Sequence, residues 1–439
     1  MHIFIALTNG ALRKWSAVFF ALAVGLLVSS EQVASAQGVF LTGLGPVNQS
    51  MGGAATAAPI DSIGALNWNP ASISGMRSNE MSFGLGLILP TITVSSAIAP
   101  NPLAPAGLSG STGGEPGVMP APAFGFVHKP RGSQWTFGLG IYGIGGFSAN
   151  YPSSTTNPVL LPQAFGGLGR VFSQAQFYQI APTVSYAITE KFSFGIAPTI
   201  TLAQVQADPL FLSPPNGTIY GPGTATRTAW GGGFQAGVYY ITDFSWHFGA
   251  SYKSPQWFEP LRYNSNDAVG LPVSQQVTFN LPSIISLGAA YTGINRTIWA
   301  TDVRYWDYGN ALGFRQVGFN PNGSVAGLGW HSVWSVSTGL QYDWTSKFTV
   351  RGGYTYGDIP INNNLSMFNV PSALIIQHWL SCGASYRFAR NVSGNIAYTH
   401  GFQNSISGPF QTPFGPVPGT SVASTISADI LNFGLSVNY

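Results

Sequence analysis

Asp302 and Arg304 lie two residues apart in the run Trp299-Ala300-Thr301-Asp302-Val303-Arg304-Tyr305, with larger apolar residues at the alternate positions. On a strand that spacing puts both charges on one face. A guanidinium can hold a carboxylate through two hydrogen bonds, so Arg304 and Arg351 are candidates for gripping an acidic head group. The same residues have a second use, in which Arg304 pairs with Asp302 or with a neighbouring segment as a structural network. Nucleophilic catalysis would need a Ser and a His held together by a third group. Among the many serines and His247, His378 and His400, no such spacing stands out, so no enzyme activity is expected. Cys382 is the only cysteine, which leaves no intrachain disulfide, no CxxC pair and no cysteine zinc cluster. No cofactor is implied.

The elements that carry these residues are strands. Only 7% of the chain is charged and 13% is aromatic, against roughly 25% charged residues in ordinary soluble domains. The formal net charge of +3 is too small to indicate nucleic acid. The chain opens with Arg13-Lys14, an apolar run from Ala17 to Val28 and Ala34-Ser35-Ala36, the pattern of a signal peptide cleaved after Ala36. No later stretch is long and apolar enough for a membrane helix of about 20 residues. From Met81 onward the chain alternates instead: Met81, Phe83, Leu85, Leu87 and Leu89, then Trp135, Phe137, Leu139 and Ile141. Long irregular stretches are expected at 96–117, 148–173, 205–227, 254–280, 308–332, 357–377 and 401–423. Short turns, such as Thr189-Glu190-Lys191 and Thr345-Ser346-Lys347, lie between them. Long loops on one side and short turns on the other mark an outer-membrane barrel, here of about fourteen strands. The fold class is therefore all-β, a transmembrane antiparallel β-barrel in the outer membrane of a Gram-negative-type cell. The segments are 1–36 signal peptide, 37–78 hatch and 79–439 barrel.

The alternation assigns faces. Tyr178, Ile180, Val184 and Tyr186 face lipid, as do Phe194, Ile196, Phe244, Trp246 and Phe248, whereas Asp302, Arg304, Arg351 and His247 face the lumen. Charges are expected to spare the lipid face, where they are costly. His378 and His400 are placed at strand ends, as interfacial polar residues. The chain ends Phe433-Gly434-Leu435-Ser436-Val437-Asn438-Tyr439, an outward-facing strand closed by an aromatic residue. That ending resembles the signal read by the outer-membrane barrel assembly machinery. Two loop clusters, Leu210-Phe211-Leu212 and Trp257-Phe258, are unusually apolar for water-facing segments. They either form a groove for a hydrophobic ligand or pack the loops on one another. Gly143, Gly145 and Gly146 either end the third strand or weaken its pairing enough to open a side hole.

Ahead of the barrel, residues 43–73 are rich in small residues and nearly uncharged. They include Met51-Gly52-Gly53-Ala54, Asp61-Ser62 and Asn69-Pro70-Ala71. Such a piece suits a plug inside the barrel, or else a flexible leader. Those motifs, with Asn280-Leu281-Pro282, 348–354 and Trp379-Leu380-Ser381-Cys382-Gly383 downstream, resemble the FadL/TodX outer-membrane transporters of long-chain fatty acids and hydrocarbons. The resemblance spans nearly the whole mature chain. It implies a fourteen-stranded barrel with an N-terminal hatch gated around Met51, Gly52, Asn69, Pro70 and Ala71. It further implies capture of a hydrophobic small molecule by the loops carrying Leu210, Phe211, Leu212, Trp257 and Phe258. A kink in strand three, at Gly143, Gly145 and Gly146, would then give a sideways route into the membrane. Outer-membrane lipid and the assembly machinery are the other expected partners. The alternatives are a binding or structural barrel whose plug never opens, and a diffusion porin, which would need a more charged lumen.

Overall fold

The computed structural model describes residues 37–439, apart from 103–104, 218, 224 and 267–270. The signal-peptide reading of 1–36 therefore falls outside the described residues.

Fourteen antiparallel strands close into a barrel. They are β1 Glu80–Ile98, β2 Met119–His128, β3 Trp135–Tyr151, β4 Val171–Ala187, β5 Phe192–Asp208, β6 Arg227–Ile241 and β7 Trp246–Lys253. The other half is β8 Ile284–Tyr291, β9 Thr297–Trp306, β10 Val333–Asp343, β11 Phe348–Gly357, β12 His378–Ala389, β13 Val392–Gly408 and β14 Thr420–Asn438. Closure is made by β14 against β1, paired from Glu80↔Asn438 to Ile98↔Thr420, so every residue of β1 has a partner there. No unpaired edge is left along that seam to face lipid.

The period-2 pattern builds the wall. On β5, Phe194, Ile196 and Ile200 are 43–48% exposed and face outward, while Ser193, Ala197, Thr199, Thr201 and Ala203 are buried inward. Small inward residues leave the lumen wide enough to hold another piece of chain. Tyr439 ends the outward face of β14 and stacks on Phe126 and His128 at about 6 Å.

The strands run further than the sequence pattern indicates. β3 reaches Tyr151, β5 reaches Asp208 and β13 reaches Gly408. Within the stretch expected to be a loop, Leu108–Gly114 pairs with Ile98–Ile92 and continues β2 upward beyond a break at residues 115–118. Its sequence, LSGSTGG, has no apolar alternation. Above the membrane a strand needs only backbone pairing, so the hydropathy signal stops before the ladder does. Two other details differ from expectation. Phe244 lies in the turn between β6 and β7, 78% exposed, and not on the strand face. Asp429 of β14 points outward, and His400 stands opposite it inside β13, not at a strand end. Its carboxylate accepts from Tyr398 Oη at 2.6 Å and lies 2.8 Å from His400 Nδ1, two partners that offset the cost of an outward charge.

Candidate functional site: hatch, lumen cavity and a break in the wall

Residues ahead of β1 fold inside the barrel. Helix α1, Gly45–Ser50, has Pro46 as its second residue, which has no N–H to lose in the first turn. Helix α2, Ser62–Trp68, is capped by Asp61, whose Oδ2 accepts from Gly64 N at 3.3 Å. It stops at Asn69, since Pro70 pushes the preceding residue out of the helical region. Burial lifts the Asp61 carboxyl from its ordinary value to about 7, with the Glu80 carboxylate nearby adding to the rise.

The wall grips this hatch at many points. Asn69, fully buried, donates from Nδ2 to Thr56 O at 2.8 Å and to Val238 O on β6 at 2.9 Å, and its Oδ1 accepts from Ala71 N at 3.1 Å. Asp302 Oδ2 accepts from Ala55 N at 2.8 Å, Thr56 N at 3.0 Å and Thr56 Oγ1 at 2.9 Å. It also pairs with Arg304 Nη2 at 2.5 Å. Arg304 donates to Gly53 O at 2.7 Å, and its guanidinium lies 3.5 Å from the centre of the Trp68 ring. Lys253 Nζ donates to Asn67 Oδ1 at 2.7 Å. Met51 and Gly52 run against β10 and β11, where a side chain on Gly353 would collide with their backbone. Pro70 and Ala71 cross β5 at Gly195 in the same way.

The lumen charges are thus engaged, with Asp302 Oδ1 and Arg304 Nε left without a partner. Asp302 and Arg304 meet each other and the hatch, while Arg351 is held apart from them by Gln341 Oε1 and Ser385 Oγ, each at 2.7 Å. Lys253 and Trp68 were not singled out from the sequence. Lys253 was readable, because Tyr252 faces lipid and the next residue must face inward.

Beside the hatch lies a cavity of about 80 Å³. Its walls include Val39, Phe40, Ile92, Phe147, Ile376 and Trp379. The first two belong to a short N-terminal segment, Gly38–Leu41, that sequence reasoning passed over. Its apolar run directly after the predicted cleavage site was the available signal. Tyr308 Oη holds the segment at one end, donating to Gln37 O and accepting from Val39 N, both at 3.0 Å.

At the other end the segment meets a break in the wall. Pairing between β2 and β3 stops at Ala123↔Tyr142, and Pro120 and Pro122 have no N–H with which to continue it. Against β4, β3 slips register between Gly143 and Gly145. The N-terminal segment fills this gap from inside: Leu41 N donates to Ile144 O at 3.1 Å and Gly146 N to Val39 O at 2.8 Å. Phe40 bridges to Gly145, where any side chain would collide with Val39 O. Gly143, Gly145 and Gly146 therefore come together at one place in the wall.

The apolar loop clusters divide. Leu210 is buried and Phe211 packs edge-on against Tyr220 at 5.2 Å. Phe258 stacks on Phe279 at 4.9 Å and adjoins Phe177, whereas Trp257, 52% exposed, turns away from the lumen. Gln256–Phe258 pairs as a short strand with Gly231 and Gly232, so neighbouring residues point to opposite faces.

The family model for outer membrane protein transport proteins (OMPP1/FadL/TodX) matches residues 25–439. The long-chain fatty acid transport protein of Salmonella typhi is 23% identical over 437 residues, covering 89% of this chain and 94% of that protein. Its counterpart in Escherichia coli K12 is 23% identical over 442 residues, with the same coverage. Among solved structures, the Pseudomonas putida toluene transporter TodX covers 91% of this chain and 99% of its own, at 17% identity and a TM-score of 0.67. A Pseudomonas aeruginosa FadL homologue gives 14% identity with the same coverage and TM-score. The Ralstonia pickettii toluene transporter TbuX gives 18% and 0.64, with coverage of 91% and 99%. These relatives are transport proteins and not enzymes. The chain belongs to the OMPP1/FadL/TodX family of outer-membrane transporters of hydrophobic compounds.

Proposed function

We propose that the protein takes up hydrophobic small molecules passively, fatty acids or hydrocarbons of the kind named for its relatives, and releases them sideways into the membrane. The observation that carries this reading is the break between β2 and β3, filled from inside, among the described residues, by Val39–Leu41. A cavity of about 80 Å³ is smaller than the ~150 Å³ that accommodates benzene, so a ligand must displace part of its lining. The N-terminal segment is the part of that lining which can move without breaking the barrel ladder, since it is tied by two backbone bonds to β3 and two bonds to Tyr308 Oη. The hatch is held by Asn69, Asp302, Arg304 and Lys253 and by packing at Met51, Gly52, Pro70 and Ala71. In this reading it stays docked while ligand passes from the loops around Leu210–Leu212 and Phe258 to the cavity and out past Gly143–Gly146. Tyr439, outward at the end of the closing strand, fits recognition by the barrel assembly machinery.

The test is a pair of variants. Ser74 Oγ and Ser193 Oγ lie 2.7 Å apart across hatch and wall, so Ser74→Cys with Ser193→Cys, in a Cys382→Ser background, locks the hatch. Ala121→Trp fills the break from the lumen side. Uptake of a labelled fatty acid or toluene should survive the lock and fail in Ala121→Trp. Loss of uptake in the oxidised lock, restored by reduction, would instead make the hatch the moving part.

A further inference from the structure

Among the polar side chains on the mostly apolar lining of the lumen cavity, those of Gln37, Ser148, Tyr151 and Ser372, two carry atoms without a partner. Gln37 is 3% exposed, and neither its side-chain oxygen nor its side-chain nitrogen has a partner. Ser372, 4% exposed, has an unpartnered Oγ. Both residues line the cavity, and no Asp, Glu, Lys, Arg or His among the described residues lines it with them. Buried polar groups are normally paired, so those left unpaired on an apolar cavity mark where a ligand's polar atom can bind. The cations of the lumen lie off this lining and bond elsewhere: Arg304 to Asp302, Lys253 to Asn67 and Arg351 to Gln341.

We propose that the cavity takes an apolar molecule bearing one uncharged oxygen group, such as an alcohol, ketone or ester, with Gln37 and Ser372 receiving that oxygen. This rests on reading the cavity as a station on the uptake path. The Gln37 amide can donate to a ligand oxygen while its own carbonyl accepts a hydroxyl proton, and the Ser372 hydroxyl can do either. A plain hydrocarbon leaves all three atoms unpaired. A carboxylate gives up its hydration and finds no Lys, Arg or His side chain among the described lining residues, the costlier exchange.

Three probes with one tail separate the classes: 1-octanol, octane and octanoate, bound at equilibrium to the processed protein in nanodiscs and corrected for empty nanodiscs. Octanol should bind roughly tenfold more tightly than octane or octanoate, the scale expected for one or two neutral hydrogen bonds in a closed site. Gln37→Met, which keeps length and removes both polar atoms, should erase most of that advantage and leave octane binding unchanged. Ser372→Ala lies far from the leader and should lower octanol affinity by a smaller factor even if Gln37→Met disturbs export. Octanol and octane binding alike in the parent protein, or octanol affinity unmoved in both variants, overturns the head-group assignment while leaving the uptake reading intact. Cleavage after Ala36 would give Gln37 an α-amino group, and tighter binding of octanoate than octanol would overturn the uncharged assignment. Failure of all three probes to bind overturns the assignment together with the cavity's place on the uptake path.

Discussion

Replacing Asn69 with Ala should undock the hatch without harming the barrel. The side chain is fully buried and makes three hydrogen bonds, to Thr56 O at 2.8 Å, Val238 O at 2.9 Å and from Ala71 N at 3.1 Å. Only one of those partners, Val238, belongs to the wall, and its strand is paired to β5 and β7 through backbone bonds that Asn69 does not touch. The substitution takes a partner from two carbonyls and one N–H at a fully buried position. At about 1–3 kcal/mol for each unsatisfied group, the cost falls at roughly 3–5 kcal/mol once some relaxation is allowed. With tenfold per 1.4 kcal/mol, opening of the hatch should rise by two orders of magnitude or more. Hydrogen exchange separates hatch from wall. Amides of residues 45–75 should exchange at least a hundredfold faster, those of β5–β7 should not change, and heat-modifiable migration on a gel should stay normal. Exchange within twofold of the parent protein across 45–75 would refute the claim that Asn69 anchors the hatch.

Asp302→Ala should loosen the hatch by a further route, because it strands the buried Arg304 charge, a loss of about 3–5 kcal/mol. Adding Arg304→Met should recover part of it, read by the same exchange assay. Gly353→Val should expel the Met51–Gly52 stretch from its slot on β11 and raise single-channel conductance in a planar bilayer, with the barrel still folded. Docking of α2 should weaken as pH rises from about 4 to 7. The Asp61 carboxyl, lifted to about 7 in place, holds more proton folded than free, so its penalty grows until it is fully ionised. Asp61→Asn should flatten that dependence, measured as hatch exchange against pH. N-terminal sequencing of the exported protein should begin at Gln37.

The sequence by itself determined the barrel, because lipid acts on every second residue of every strand. Phe194, Ile196 and Ile200 must be apolar, Asp302 and Arg304 must turn inward, and a count of such runs is a count of strands. It also singled out small residues such as Gly52 and a helix stop such as Asn69-Pro70 ahead of β1, which the fold packs against the inner faces of the strands. It did not determine where the strands end above the membrane, because the LSGSTGG ladder is held by backbone groups that carry no side-chain signature. Nor did it determine what the inward charges hold. Asp302 finds Ala55 and Thr56 some 250 residues away in the chain, and only closure of the barrel around the hatch brings them together. The same holds for the side of strand three. Gly143, Gly145 and Gly146 are compatible with a strand end or with a hole. What surrounds them was set by Pro120 and Pro122 on the neighbouring strand, where pairing stops, and by Val39–Leu41 arriving from an earlier part of the chain. Local pattern reports what each residue must avoid, water or lipid; which residue it meets there depends on contacts that exist only in the folded chain.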